Sequence, residues 1–187
     1  DVMEHVFDLT QIHVLVEHYL GGREFCVAAC GPVVSREGML TKLDRPFTFC
    51  AIERALDADE RIFTSMDHKP ITKDRIRLLE AEENSDIIER LYGLADSVMQ
   101  SLDIQTLIRL DVREDTSGNL YVLESNPKPD LKAPTGDGTI SIIAAALDEC
   151  GMSYDDLIFS LFANQIDVLM SRRRGSAHHL LQLLETQ

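Results

Sequence analysis

The sequence predicts an α+β fold, a largely antiparallel sheet with flanking helices, and three observations carry that expectation. Leu107–Arg113 and Leu120–Ser125 are apolar stretches of strand length around the turn signal Thr116-Ser117-Gly118-Asn119, a hairpin pattern. Val14–Tyr19 and Glu24–Cys30 repeat that pattern around Gly21-Gly22. Asp86–Leu102 places Ile87, Ile88, Leu91, Leu94, Val98, Met99 and Leu102 on one stripe of a helix.

Taken in order, Val14–Tyr19 and Glu24–Cys30 form a first hairpin, and Val33–Leu43 extends the same sheet. Pro46–Ala55 is ambiguous in its pattern, and Arg61–Met66 reads as a short strand. Thr72–Glu80, following Pro70, reads as a short helix, and Ser85 caps the helix that opens at Asp86. After the central hairpin, Pro127–Thr139 is a loop with three Pro, two Gly and two Lys. Ile140–Cys150 is an Ala-rich helix closed by Gly151. Ser153 caps another helix, with Asp155 and Asp156 in its first turn, running to about Ser171. Arg172–Arg174 are a solvated basic run at its C-terminal end, and His178–Leu184 form a last short helix.

The 187 residues, 44% hydrophobic, suffice for a real core. A net charge of -14, from 18 basic and 32 acidic residues, excludes a general nucleic-acid or anionic-membrane surface. No apolar run is long enough to span a membrane, and DVMEHVFDLT has no signal-peptide character. Cys26, Cys30, Cys50 and Cys150 show neither CxxC pairing nor zinc spacing, so they read as reduced thiols of a cytoplasmic protein.

Charge stands in the central hairpin where a strand is usually quiet. With a two-residue loop at Ser117-Gly118, Asp111 sits opposite Glu124 and Arg109 opposite Asn126, all four on one face. Directly opposed carboxylates repel, so they call for a cation. Oxygen-only donors suit Mg2+ or Mn2+, and an adjacent arginine fork suits phosphate. The plainer alternative is a surface hairpin in which Arg109 pairs with Asp111 or Glu124. A loop of odd length slips the register and undoes the geometry.

These residues carry a resemblance. R-L-D-V-R, a turn, then Y-V-L-E-S-N-P resembles the C-terminal catalytic lobe of ATP-grasp enzymes, in particular the D-alanine–D-alanine ligase branch. V-L-V-E-H-Y-L-G-G-R-E-F-C-V-A is similar to the segment with which these ligases bind adenine and ribose, and G-M-S-Y-D-D-L-I to their closing helix. The resemblance covers most of the chain. It implies that Asp111, Glu124 and Asn126 ligate Mg2+ or Mn2+, and that Arg109 stabilises the transferring phosphate and the acyl phosphate. It also implies ATP contacts by Glu17 and by the Leu20 backbone at the adenine, and by Glu24 at the ribose hydroxyls. The whole chain is then one ATP-grasp C-terminal lobe: an adenine and ribose hairpin over 12–31, a metal-site hairpin and substrate loop over 104–131, and C-terminal helices over 137–187.

Two departures stand out. P-K-P-D-L-K-A-P-T-G-D-G-T replaces the short Ser-containing substrate loop of the D-alanine ligases. Asn126-Pro127 is similar to the biotin carboxylase and carbamoyl phosphate synthetase branch, although Lys128 stands where that branch has arginine. Secondly, the glycine-rich loop and phosphate-binding lysines of the family precede the adenine linker, which here begins about a dozen residues into the chain.

The expectation is therefore the C-terminal part of an ATP-dependent carboxylate–amine ligase, inactive by itself. Its partners would be small-molecule carboxylate and amine substrates, the N-terminal lobes of the same parent chain, and a second copy in a homodimer. Nucleic acid and membrane are not expected. The rival is a non-catalytic ATP-grasp-like module that binds a nucleotide or a partner. Lys42, Arg54, Lys69, Lys128 and Lys132 remain without an assigned role.

Overall fold

The computed structural model describes residues 1–56, 75–133 and 141–171. In chain order the elements are α1 (Val2–Thr10), β1 (Glu24–Cys30), β2 (Val33–Arg36), β3 (Met39–Lys42), β4 (Phe47–Arg54), β5 (Ile76–Leu78), α2 (Ala81–Ser101), β6 (Ile108–Glu114), β7 (Leu120–Asn126), α3 (Ile142–Ala145) and α4 (Tyr154–Ser171). A 3-10 turn over Asp148–Cys150 links α3 to α4.

All seven residues of β1 are buried, because β1 is the middle strand of an antiparallel sheet ordered β5-β4-β1-β6-β7. Its alternate side chains serve two cores. Phe25, Val27 and Ala29 join Ile108, Leu110 and Val112 of β6 against Ile87, Leu91, Ala95 and Met99 of α2. Cys26, Ala28 and Cys30 face the other way, with Phe49, Cys50 and Ile52, toward Ile142, Ile143, Met152 and Leu157. The α+β class and the antiparallel sheet with helices on its faces are as the sequence predicts.

The central position of β1 explains the first correction. Val14–Tyr19 is not a strand. A hairpin with β1 needs a free edge, and β4 and β6 occupy both. The residues instead form a linker without assigned secondary structure, joined to the sheet end where Gly22 N–H donates to Glu114 O at 3.0 Å. A β-carbon on Gly22 would lie 2.6 Å from Glu114 Cβ, so the close approach needs glycine.

Val33–Leu43 does not extend the main sheet either; β2 and β3 form their own two-stranded sheet. Polar groups of α4 hold it. Val33 N–H donates to Asn164 Oδ1 at 2.8 Å, and Ser35 N–H to Ser160 Oγ at 2.8 Å. The Ser35 hydroxyl donates to Asp156 Oδ1 at 2.7 Å. These groups are buried, so backbone that leaves one sheet finds partners in side chains of a helix.

Pro46–Ala55 resolves as β4, with a register shift against β1 and Cys50 at φ 64. Of the predicted helix Thr72–Glu80, residues 75–80 are described, and Ile76–Leu78 among them are β5, paired to the end of β4; three residues capture strand geometry because a partner edge is open. Arg61–Met66, Arg172–Arg174 and His178–Leu184 lie outside the described residues.

The long helix α2 begins earlier than its apolar stripe, at Ala81, and Asn84 (φ -128, ψ 22) kinks it. Ser85 is therefore not its cap; the stripe starts just beyond the kink and stops short of the predicted Leu102, which follows the helix as its C-cap and is 57% exposed. Ile140–Cys150 is broken into α3 and the 3-10 turn, closed as predicted by Gly151 at φ 61. Ser153 Oγ accepts from Asp156 N–H at 3.0 Å, and Asp156 Oδ2 accepts from Ser153 N–H at 3.2 Å, a reciprocal capping box for α4. The helix α1 was not expected from the sequence; Asp1 caps it, accepting from Met3 N–H at 3.0 Å.

The central hairpin reaches the predicted pairing by another route. Its loop is odd: Asp115 N–H donates to Asn119 O at 2.9 Å, leaving Thr116, Ser117 and Gly118 as a three-residue loop with Gly118 at φ 82. The Asp115 carboxylate fixes it by accepting from the N–H groups of Ser117 and Asn119, at 2.8 and 2.9 Å. Above this loop Val112 faces Val122. The register then shifts, leaving Leu123 as an unpaired bulge, and Asp111 faces Glu124 while Arg109 faces Asn126. The odd loop and the bulge cancel.

Candidate active site

Where the apolar layer over Cys26 and Ile52 ends, the same sheet face turns polar. Strand register lays its side chains in three rows. Arg54, Glu24, Arg113 and Tyr121 form one; Ile52, Cys26, Asp111 and Glu124 the next; Ala28, Arg109 and Asn126 the third. Glu24, Arg54 and Arg113 are no more than 8% exposed, and Asp111 is 9% exposed. Charges so buried persist only when paired.

The pairing alternates sign across strands. Arg54 Nη1 donates to Glu24 Oε1 at 3.0 Å, and Arg113 Nη1 to Glu24 Oε2 at 3.3 Å. Arg54 Nη2 donates to Asp111 Oδ2 at 3.0 Å. Arg109 forks onto the same carboxylate, Nε to Oδ1 at 3.0 Å and Nη2 to Oδ2 at 3.2 Å. The plainer alternative thus holds in one respect: Arg109 does pair with Asp111. Beneath Asp111, burial pushes the Cys26 thiol up to about 12, and Cys30 likewise, so neither offers a thiolate. All four cysteines are free thiols.

The remaining predicted ligands differ in how they are engaged. Glu124 is exposed on the edge strand and takes no hydrogen bond or ion pair among the described residues. Asn126 Oδ1 accepts from Lys128 N–H at 2.9 Å, turning the chain into the following loop. No cluster of three His, Cys, Asp or Glu side chains stands ready for a metal among the described residues. Asp111 and Glu124 supply two carboxylates, and the third oxygen is an amide. This all-oxygen set fits a hard divalent cation.

The linker approaches from the Glu24 side. Tyr19 sits under Arg113, whose guanidinium lies 5.1 Å from the ring centroid and whose Nη2 donates to the phenol oxygen at 3.3 Å. Leu20 is half-buried and Glu17 exposed. The backbone of Val14–His18 and of Leu20 makes no hydrogen bond to other described backbone.

Of the predicted residues, Arg109, Asp111, Glu124, Asn126 and Glu24 therefore share one face, and Glu17 and Leu20 lie on the linker beside it. Arg113, with no predicted role, was within reach of the strand alternation that aligns Arg109 and Asp111. Arg54 enters only because β4 pairs with β1. Lys42 is spent elsewhere, on Asp167 at 2.7 Å, and Lys69 lies outside the described residues.

The antiparallel sheet flanked by helices is the architecture of the C-terminal lobe of an ATP-grasp fold. The family model described as D-ala D-ala ligase C-terminus matches residues 2–163, and the chain belongs to that family. It is similar to the D-alanine–D-alanine ligase of Bacillus anthracis solved with ATP, at 16% identity and a TM-score of 0.59, covering 91% of this chain and 48% of that one. It is similar also to the ligase of Coxiella burnetii, at 16% identity and a TM-score of 0.60, covering 99% and 42%. The D-Ala:D-Ser ligase of Enterococcus faecalis aligns at 17% identity and a TM-score of 0.50, covering 78% and 36%. The chain thus spans less than half the length of these ligases. No curated protein matches the sequence. No helix among the described residues is long and apolar enough to cross a membrane.

Proposed function

We propose that the parent chain is an ATP-dependent carboxylate–amine ligase working through an acyl phosphate, and that this sheet face is its nucleotide and metal jaw. The observation that carries the reading is Asp111 directly opposite Glu124, with Arg109 and Asn126 one step along the same face. Family membership supports the reaction class.

In this reading the linker backbone around Leu20 meets the adenine edge, with Glu17 beside it. Glu24 accepts hydrogen bonds from the ribose hydroxyls, held in place by Arg54 and Arg113. Asp111, Glu124 and Asn126 hold Mg2+ or Mn2+. When bound, that ion screens the phosphate charge that grows as the γ-phosphoryl group moves. Arg109 presents its planar fork to the transferring phosphoryl group and then to the acyl phosphate, whose oxygens it matches better than a lysine would. Displacement of phosphate by the amine completes the ligation. Carboxylate and amine substrates are small molecules; the loop after Asn126, so unlike the short Ser-containing one, is where their selection departs from D-alanine.

The test is substitution in the full-length enzyme. Asp111→Asn and Glu124→Gln each lower ATP turnover by about a hundredfold or more, the usual scale for losing one preorganised electrostatic group. Thermal melts and circular dichroism stay near wild type for Glu124→Gln, which is exposed. Turnover close to wild type in both variants sinks the metal assignment. A non-catalytic nucleotide-binding module is recognised by Mg2+-dependent ATP protection in a thermal shift without any phosphate release.

A further inference from the structure

We propose that Arg54 is the positioning residue of a cationic latch on Asp111, which keeps a divalent cation out until nucleotide arrives. The inference rests on the ATP and metal reading above and concerns how the metal position is opened.

Arg54 lies on β4, two strands away from the β6 residue it touches most consequentially. Its terminal nitrogens are divided, Nη1 on Glu24 Oε1 and Nη2 on Asp111 Oδ2, each at 3.0 Å. Only a forked, permanently charged side chain serves two separate carboxylates in this way. Arg109 supplies two more donors, one to each oxygen of Asp111. Asp111 thus accepts three charge-assisted hydrogen bonds, and a carboxylate has about four lone-pair positions. At 9% exposure there is little solvent to screen the two guanidinium charges beside it.

A divalent cation arriving alone must therefore displace a donor and sit against two positive groups. Glu124, exposed and unengaged among the described residues, cannot offset that by itself. Nucleotide changes the balance. Phosphate oxygens compete for Arg109, the more exposed of the two arginines (its side chain 16% exposed against 8% for Arg54), and bring negative charge to the same spot. Ribose hydroxyls at the same time engage Glu24, the other end of the Arg54 fork. Metal and nucleotide then bind cooperatively because one guanidinium joins their two carboxylates.

The experiment measures Mn2+ binding to the full-length protein by the paramagnetic resonance of free Mn2+, without nucleotide and with a non-hydrolysable ATP analogue. Without nucleotide, Arg54→Gln binds Mn2+ about tenfold tighter than wild type or more, within the ordinary range of coupling between linked sites. Adding Asp111→Asn to that variant abolishes the gain. If Arg54→Gln does not fold, Arg54→Lys carries the test: an ammonium reaches one carboxylate at a time, so nucleotide-free affinity again rises. Unchanged nucleotide-free affinity in the folded variants overturns the latch. A merely structural Arg54 would lower the melting temperature and leave Mn2+ affinity where it was. Failure of the underlying reading looks different: Asp111→Asn then leaves Mn2+ binding with the ATP analogue unchanged.

Discussion

Asp156 shows how much a single carboxylate organises in this chain. It accepts from the Ser35 hydroxyl, the Ser153 hydroxyl, the Ser153 N–H and the Gly38 N–H, so it caps α4 and ties β2 to it at once. Those donors, the Ser35 hydroxyl first and then Ser153, hold its carboxyl far below the usual carboxylate range. The consequence for pH has a definite sign. A depressed folded pKa contributes stability that is full above the unfolded value of about 3.9 and is lost as pH falls below it toward the folded pKa. Asp156→Asn is expected to lower stability at neutral pH and to flatten the acid limb of stability below about pH 4. Urea unfolding at several pH values checks this; parallel acid limbs for variant and wild type would show that Asp156 is not the group responsible.

At the scale of elements, the β6–β7 hairpin is the decisive unit, and its bulge is what puts the site on one face. A three-residue loop alone would set Asp111 against Leu123; the unpaired Leu123 restores Glu124 to that position. Inserting one alanine between Leu123 and Glu124 is therefore expected to move Glu124 and Asn126 off Asp111 and Arg109. Turnover of the parent enzyme falls by about a hundredfold or more, as for other small misplacements of reacting groups, while circular dichroism remains close to wild type. Deleting Leu123 regularises the ladder and leaves Asp111 opposite Glu124, so turnover is expected to survive. Steady-state kinetics of the two variants, compared side by side, decides whether the bulge sets the register.

Across the whole molecule, β1 ties the core to the polar face, since one buried strand feeds both cores and begins with the buried carboxylate Glu24. The sheet is kept in place from one side by α2, whose Leu91 is fully buried. Leu91→Ala is expected to destabilise the fold by about 3 kcal/mol, the lost transfer energy plus the cavity left behind. Chemical denaturation reads this directly, and a loss under about 1 kcal/mol would mean that α2 repacks over the gap.

The fold class, the α2 stripe, the Ser153 cap, the Gly151 stop and the hairpin with its four co-facial polar residues were legible in the sequence. Each depends on periodicity or on a local hydrogen bond between near neighbours. The first hairpin, the placement of β2 and β3, and the identity of β4 and β5 were not. Those outcomes depend on which strand edges are already occupied, and no segment carries that information alone. The same division runs through the site. By itself the sequence determined which residues on β6 and β7 could oppose one another, because strand alternation and a turn are local. Only the tertiary structure decided that Asp111 is held by Arg54 as well as Arg109, because β4 reaches β6 solely through its pairing with β1, and buried charge takes its partners from whichever strand lies alongside.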